Sequence, residues 1–223
     1  MSNSTPQVRT HEVGIRLEKV SLSGHVGLPE DAHTLAVFVH GTGSSRHSPR
    51  NNFVADHLNE NGVATLLFDL LTEEEDRTYA TRFDIDLLTG RIIDVLAWTR
   101  SQEELAYQSV ALFGASTGAA AAIRAAAAGG AERADWSRIC SVVSRGGRPD
   151  LAGEALEGLH VPTILIVGGA DAPVLELNEE ARARIPGEGE MEVVPGATHL
   201  FEEPGALDKV AATATRWILG HCA

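Results

Sequence analysis

Four short runs in the chain are almost wholly apolar: LAVFVHG from Leu35, ATLLFDLL from Ala64, SVALFGAS from Ser109 and TILIVGG from Thr163. A strand with one face in water alternates polar and apolar residues. A strand without that alternation is covered on both faces, as parallel strands are when helices pack on either side. ICSVVS from Ile139 has the same character. Helical patterns lie between these runs: FVADHLNENG ending at Gly62, RIIDVLAWTR from Arg91, and LDKVAATATRWIL. In the last of these, Leu207, Val210, Ala211, Ala214, Trp217 and Ile218 share one face. The alternation predicts an α/β fold with a mainly parallel central sheet flanked by helices. The opening stretch from Val13 to Pro29, with Gly24 and Gly27, reads as an antiparallel edge hairpin. At 223 residues the chain can bury one sizeable core, and no repeat or polar linker divides it. Residues 1–223 are therefore expected to form one domain.

Charge narrows the partners. Eighteen Lys and Arg stand against 31 Asp and Glu, a formal charge of -13, which opposes nucleic acid because phosphate binding needs clustered positive charge. The acidic run TEEEDR around Glu74 is expected to be a solvated connection after a strand. MSNSTPQVRTHEVGIRL lacks a basic segment followed by an apolar core, and no apolar stretch approaches a membrane span. A soluble cytoplasmic protein with no membrane partner is expected, as a monomer or small homo-oligomer. Cys140 and Cys222 match neither a disulfide framework nor a zinc-ligand pattern, which suggests a reducing compartment.

The segment ALFGASTGAAAAIRAAAAGG from Ala111 asks for more than a plain strand-to-helix connection. Gly114 and Gly118 flank Ser116 and remove side chains where strand and helix must meet, leaving the serine at the tip of a sharp turn. A serine hydroxyl is a poor nucleophile until a base takes its proton, and its carbonyl target becomes an oxyanion that needs preorganised donors. The helix beginning at this turn points free N–H groups toward such a charge. Ala119 to Ala122 let that helix lie close to the sheet, and Gly129 or Gly130 is expected to end it. Asp171 lies just beyond TILIVGG, and His199 lies in VVPGATHLFEEPG before the last helix. The chain order Ser, Asp, His, each after a different parallel strand, is that of a hydrolase triad with His199 as base and Asp171 holding its tautomer. Asp150, after the preceding strand, is the second candidate for the acid. Among the other histidines, His11, His25, His33, His47, His57, His160 and His221 do not follow the end of a core strand. His40 does, in VFVHGTGSSR, where His-Gly shapes a loop whose backbone N–H at Thr42 is expected to join that of Thr117 in an oxyanion hole.

With these segments in place the chain resembles the α/β-hydrolase superfamily, and within it the small dienelactone-hydrolase-like group, which includes members fused to phosphoribosyltransferase domains. The resemblance runs through HGTGSSRHSPRN, LLTEEEDR, FDIDLLTGR, GASTGAAAA, SRGGRPDLAG, LIVGGAD and GATHLFEEPG. It implies a sheet of about eight strands, a triad of Ser116, Asp171 and His199, and hydrolysis of esters or lactones through an acyl-enzyme with no metal or organic cofactor. Dienelactone hydrolases proper carry cysteine at the nucleophile position, whereas this chain has Ser116, as carboxylesterases do. The same residues also suit acyl transfer to an alcohol, amine or peroxide, and a binding module on a hydrolase fold is the reading from another class.

The segment between SRGGRPD and VPTILIV is too short for a large cap domain, so the site should be open to small soluble esters. The stretch from Thr72 to Thr89 could still fold over the entrance. Arg46 and Arg50 after HGTG, and Arg145 and Arg148 after VVS, recur in loops on the catalytic side. Arg46 and Arg145 are the candidates for binding a substrate carboxylate or phosphate, since a guanidinium presents a bidentate fork.

Overall fold

The computed structural model describes residues 7–128 and 138–222. Its centre is one eight-stranded sheet: β1 (Val8–Arg16), β2 (Ser21–Pro29), β3 (Thr34–Val39), β4 (Ala64–Phe68), β5 (Ser109–Ala115), β6 (Ile139–Arg145), β7 (Thr163–Gly168) and β8 (Gly189–Val194). The spatial order is β1-β2-β4-β3-β5-β6-β7-β8. The pairs β1–β2 and β2–β4 are antiparallel and every other pair is parallel. All the apolar runs are strands, and β3, β4 and β7 are buried along their whole length. The edge hairpin starts five residues before Val13, at Val8, where Val8 to Glu12 continue the antiparallel ladder opposite Pro29 to His25.

Among the described residues the α-helices are α1 (Pro49–Glu60), α2 (Glu73–Asp76), α3 (Ile85–Arg100), α4 (Thr117–Ala128), α5 (Ala172–Arg184) and α6 (Ala206–His221), and all but the short exposed α2 cover the sheet. One core layer packs Phe38, Val54, Leu58, Phe113, Val143, Val210, Trp217 and Ile218 beneath α1 and α6. The opposite layer packs Val37, Leu66, Ile92, Val95, Leu112, Ile123 and Leu165 beneath α3, α4 and α5. Helix α1 begins before the expected FVADHLNENG because Ser48 caps it, accepting the Asn51 N–H, and Pro49 stands at the first position. Helix α3 likewise begins ahead of Arg91, with the Asp84 carboxylate accepting the Leu87 N–H. The expected end of α4 at Gly129 or Gly130 lies outside the described residues.

TEEEDR follows β4 and has no buried residue, as expected of a solvated connection, and it is locally ordered as well. Thr72 and Glu75 form a reciprocal capping box around α2, and Glu75 pairs with the buried Arg91 guanidinium at 2.7 Å. After it, a 3-10 turn at Ala80–Phe83 is tied back by Arg82, whose Nε donates to Asp76 O at 2.8 Å and Nη2 to Asp76 Oδ2 at 2.9 Å. The segment from Thr72 to Phe83 is thus braced to α3 and within itself.

The two cysteines correct the sequence reading: Cys140 and Cys222 are joined in a disulfide across a separation of 82 residues. The long separation conceals the pair, because α6 crosses the sheet face and returns the C-terminus to the start of β6. Thr34 Oγ1 donates to Cys222 O at 2.8 Å and holds that end in place. Cysteine usage therefore gives no support for a reducing compartment. No helix among the described residues is long and apolar enough to cross a membrane.

His40 follows β3 and is itself buried. Its Nδ1–H donates to Gly41 O at 3.0 Å, and its Nε2 accepts the Leu70 N–H at 3.0 Å. Burial holds the imidazole below its usual range, against the opposing pull of the Gly41 carbonyl and of Asp69 and Asp76. A second proton would have to displace the Leu70 N–H, so the ring is fixed in its neutral Nδ1–H tautomer. It pins the loop after β3 to the end of β4.

Two measurements test this framework. Closing so long a loop typically contributes about 2–4 kcal/mol, so reduction or Cys222→Ser should lower Tm by roughly 5–15 °C; two free thiols titrated in the denatured, non-reduced protein would contradict the bridge. For His40 the folded state resists protonation, so below about pH 6.5 the unfolded chain binds the extra proton and stability falls with acidity. Thermal melts between pH 7 and 5.5 should show a shallower slope for His40→Asn than for the wild type; parallel slopes would contradict a buried neutral ring.

Candidate active site

Ser116 follows β5 in the middle of the sheet with a φ of 51°. A non-glycine residue in this left-handed region costs about 1–3 kcal/mol and persists only where its surroundings over-determine it. They do so here. Ser116 N–H donates to Arg145 O at 3.2 Å on β6, and Ser116 O accepts from Ala119 N at 3.1 Å and from Arg148 N at 3.0 Å. The flanking glycines permit the approach: a Cβ at Gly114 would lie 2.5 Å from Ala119 Cα, and one at Gly118 would lie 2.3 Å from Val39 O. The all-alanine face of α4 continues that close contact, with Ala119 to Ala122 fully buried.

Asp171 occupies the N-cap of α5, where an aspartate ordinarily accepts a hydrogen bond from the first helical turn. Its side chain makes no such bond. Instead Oδ2 lies 2.7 Å from His199 Nδ1, in the loop after β8. An acceptor on Nδ1 directs Nε2 to be the basic nitrogen. The His199 loop is closed by Glu203, whose carboxylate accepts the Thr198 N–H at 3.1 Å and the Thr198 hydroxyl at 2.6 Å. Phe201 is buried there with a φ of 56°, a second strained residue that the spacing of the sequence did not signal.

Ser116 and His199 both abut the Arg145–Gly146 turn. Arg145 O receives the Ser116 N–H, and a Cβ at Gly146 would lie 3.2 Å from His199 O and 3.6 Å from His199 Cε1. Among the described residues no hydrogen bond joins the Ser116 hydroxyl to His199. Asp150, the other candidate acid, is held by Arg148 through bonds of 2.8 and 2.7 Å on the far side of that turn. His40 is occupied by the backbone bonds already described.

The two candidate oxyanion donors differ. Thr117 N–H opens α4, where a helix offers unpaired donors. Thr42 N–H is engaged, donating to Thr117 Oγ1 at 2.9 Å. The loop arginines differ as well. Arg46 is spoken for by Asp69, which accepts from both its backbone N–H and its guanidinium, and by Glu12 at 3.6 Å. Arg50 pairs with Glu202 at 3.2 Å. Arg145 is 7% exposed and touches no carboxylate among the described residues. Its Nη2 donates to Asn51 Oδ1 at 3.2 Å, its guanidinium carbon lies 5.9 Å from the Phe201 ring centre, and its Nε has no acceptor. Burial first, and the neighbouring Arg50 charge second, push its pKa down to about 10. Among the described residues no cluster of His, Cys, Asp and Glu suited to a metal ion is found.

No family model matches the chain. Two curated proteins of Mycobacterium tuberculosis, from strains CDC 1551 and H37Rv and both named "Putative phosphoribosyl transferase", are 52% identical to it over 216 residues. Those residues are 97% of this chain and 47% of each relative, so the chain spans about half the length of the curated relatives it matches. Among solved structures, Est1E from Butyrivibrio proteoclasticus superposes with a TM-score of 0.77 at 15% identity, over 94% of this chain and 98% of that one. At that identity the likeness concerns the fold alone. Dienelactone hydrolase from Anabaena variabilis superposes with a TM-score of 0.91 at 43% identity, over 99% of this chain and 100% of that one. The eight-stranded sheet, the serine turn after β5 and the full-length likeness to that enzyme together make this chain a member of the dienelactone hydrolase family of α/β-hydrolases.

Proposed function

We propose that this chain is a serine hydrolase that cleaves small soluble carboxylic esters or lactones through an acyl-enzyme. Ser116 attacks the carbonyl, His199 takes its proton and returns it to the leaving group, Asp171 orients the imidazole, and water releases the acyl group. The observation that carries the reading is the Asp171 carboxylate, which forgoes its helix cap to bond His199 at 2.7 Å. The strained serine held beside the same turn supports it. The transferase name of the mycobacterial relatives applies to proteins about twice as long.

Arg145 supports a preference for esters that carry an acid group. A guanidinium buried without a carboxylate is held at a cost that a substrate anion would relieve, and Arg145 is so placed at the end of the strand that supports Ser116. Arg46, neutralised by Asp69 and Glu12, contributes nothing comparable.

Turnover of p-nitrophenyl acetate and butyrate tests the hydrolase reading. Ser116→Ala and His199→Ala should each lose at least about 10³-fold in kcat; a Ser116→Ala variant as active as the wild type would overturn it. For Arg145, a charged hydrogen bond of about 2 kcal/mol corresponds to roughly thirtyfold in kcat/KM for the monoester of a dicarboxylic acid over its neutral isostere. That ratio should collapse toward one in Arg145→Gln, and it is insensitive to the fraction of enzyme folded. Equal rates for the two esters in the wild type would refute the anion preference.

A further inference from the structure

Thr42 N–H and Thr117 N–H are the pair expected to share one oxyanion, yet the first is already committed to the Thr117 side chain. The local hydrogen bonds form a chain. Thr42 N–H donates to Thr117 Oγ1 at 2.9 Å, the two hydroxyl oxygens lie 2.9 Å apart, and Thr42 Oγ1 donates to Arg82 O at 3.0 Å. Because the Thr42 proton goes to Arg82, the Thr117 proton must point at Thr42 Oγ1. The loop that carries Thr42 runs close to the serine turn: a Cβ at Gly41, the residue before Thr42, would be 2.9 Å from Ser116 Cβ and 3.0 Å from Ala115 O, and Thr117 follows Ser116 directly. Thr117 is only 6% exposed.

We propose that the hydroxyl of Thr117 is itself an oxyanion donor, primed by the Thr42 N–H that it accepts. This rests on the hydrolase reading above and adds a side-chain donor to it. When the acyl carbonyl becomes tetrahedral on Ser116, the Thr117 hydroxyl turns its proton from Thr42 Oγ1 to the developing O⁻, beside the Thr117 backbone N–H. No heavy atom moves and no proton is transferred. The proton stays on the threonine, while the Thr42 N–H continues to donate to Thr117 Oγ1 and polarises the O–H bond. The Thr42 hydroxyl keeps its bond to Arg82 O and gives up only an accepted bond, the cheaper loss for an oxygen with two lone pairs. The Thr117 backbone N–H is the preorganised donor of the pair, and the hydroxyl adds a bond made in the transition state and not in the ground state, at the cost of turning one O–H bond.

The arrangement also gives the braced segment from Thr72 to Phe83 a part in the site. Arg82 O fixes the direction of the Thr42 hydroxyl, and Arg82 is fixed in turn by its own bonds to Asp76. With the Thr42 proton held there, Thr117 is left as the hydroxyl with a proton to redirect.

The test compares Thr117→Val, which keeps the branched shape and removes the hydroxyl, with Thr117→Ser, which keeps the hydroxyl. Two readings are taken: ester turnover, and inhibition by a trifluoromethyl ketone that forms a tetrahedral adduct on serine. Loss of one oxyanion donor costs about 10²–10³-fold in kcat. Thr117→Val should therefore lose that much in kcat, with KM changed less than about threefold. It should also bind the ketone roughly a hundredfold more weakly, and Thr117→Ser should recover most of both losses. If Thr117→Val matches or exceeds the wild type in both readings, the hydroxyl is a plug on Thr42 N–H and the proposal is overturned. A proportional rise in KM with kcat unchanged would also overturn it, since that marks ground-state binding. An inert wild type that forms no adduct would instead fell the hydrolase reading on which the proposal stands.

Discussion

The hydrogen bond from Ser116 N–H to Arg145 O joins the turn after β5 to the end of β6, and the candidate site is assembled around it. It fixes a left-handed serine that glycine would adopt more readily, so the strain is carried by the sheet rather than relieved in the loop. The same carbonyl leads into Gly146, against which His199 packs. One backbone junction thus registers the candidate nucleophile and the candidate base against each other, although they stand 83 residues apart. Parallel strands make this possible, because the turns after β5, β6, β7 and β8 all emerge at one end of the sheet.

Around that junction, side chains that would ordinarily serve the fold are diverted from it. Asp171 stands at a helix N-cap and bonds a histidine on another loop. Arg145 lies in the core beside an amide and an aromatic ring in place of a carboxylate. Thr117, at the first position of α4, turns its hydroxyl to the loop after β3. By contrast, Arg46, Arg50, Arg91 and Arg148 all have carboxylate partners. The contrast separates these paired arginines from the buried Arg145, which touches no carboxylate among the described residues, and it is a distinction of environment rather than of residue type.

Much of this was legible in the residues. Unalternating apolar runs predict parallel strands because burial on both faces removes the alternation of polar and apolar residues, and β3, β4, β5, β6 and β7 follow them closely. GASTG announces its turn because only glycines tolerate the backbone approaches at positions 114 and 118. The order of Ser, Asp and His points to three loops at one end of the sheet, which is where they lie. What the residues did not reveal depends on packing at long range. The bridge between Cys140 and Cys222 exists because α6 brings the C-terminus back to β6, and no local pattern encodes that return. The partners of Arg46 and Arg145 were equally hidden, since their sequence contexts are alike and only the fold places Asp69 beside one of them. TEEEDR is solvent-facing, as its charge implies, but the pairing of Glu75 with Arg91 was hidden because Arg91 lies one helix further on. The engagement of Thr42 N–H by Thr117 follows from the approach of two loops whose spacing in the sequence says nothing of hydroxyl orientation.

The central claim is that Ser116 is the residue that becomes acylated, and covalent trapping tests it most directly. The protein would be treated with a fluorophosphonate, its intact mass measured, and the modified peptide sequenced. A single adduct is expected on the peptide carrying Ser116, absent from Ser116→Ala and slowed when His199 is replaced. An adduct on any other serine, or a folded protein that takes up no label at all, would contradict it.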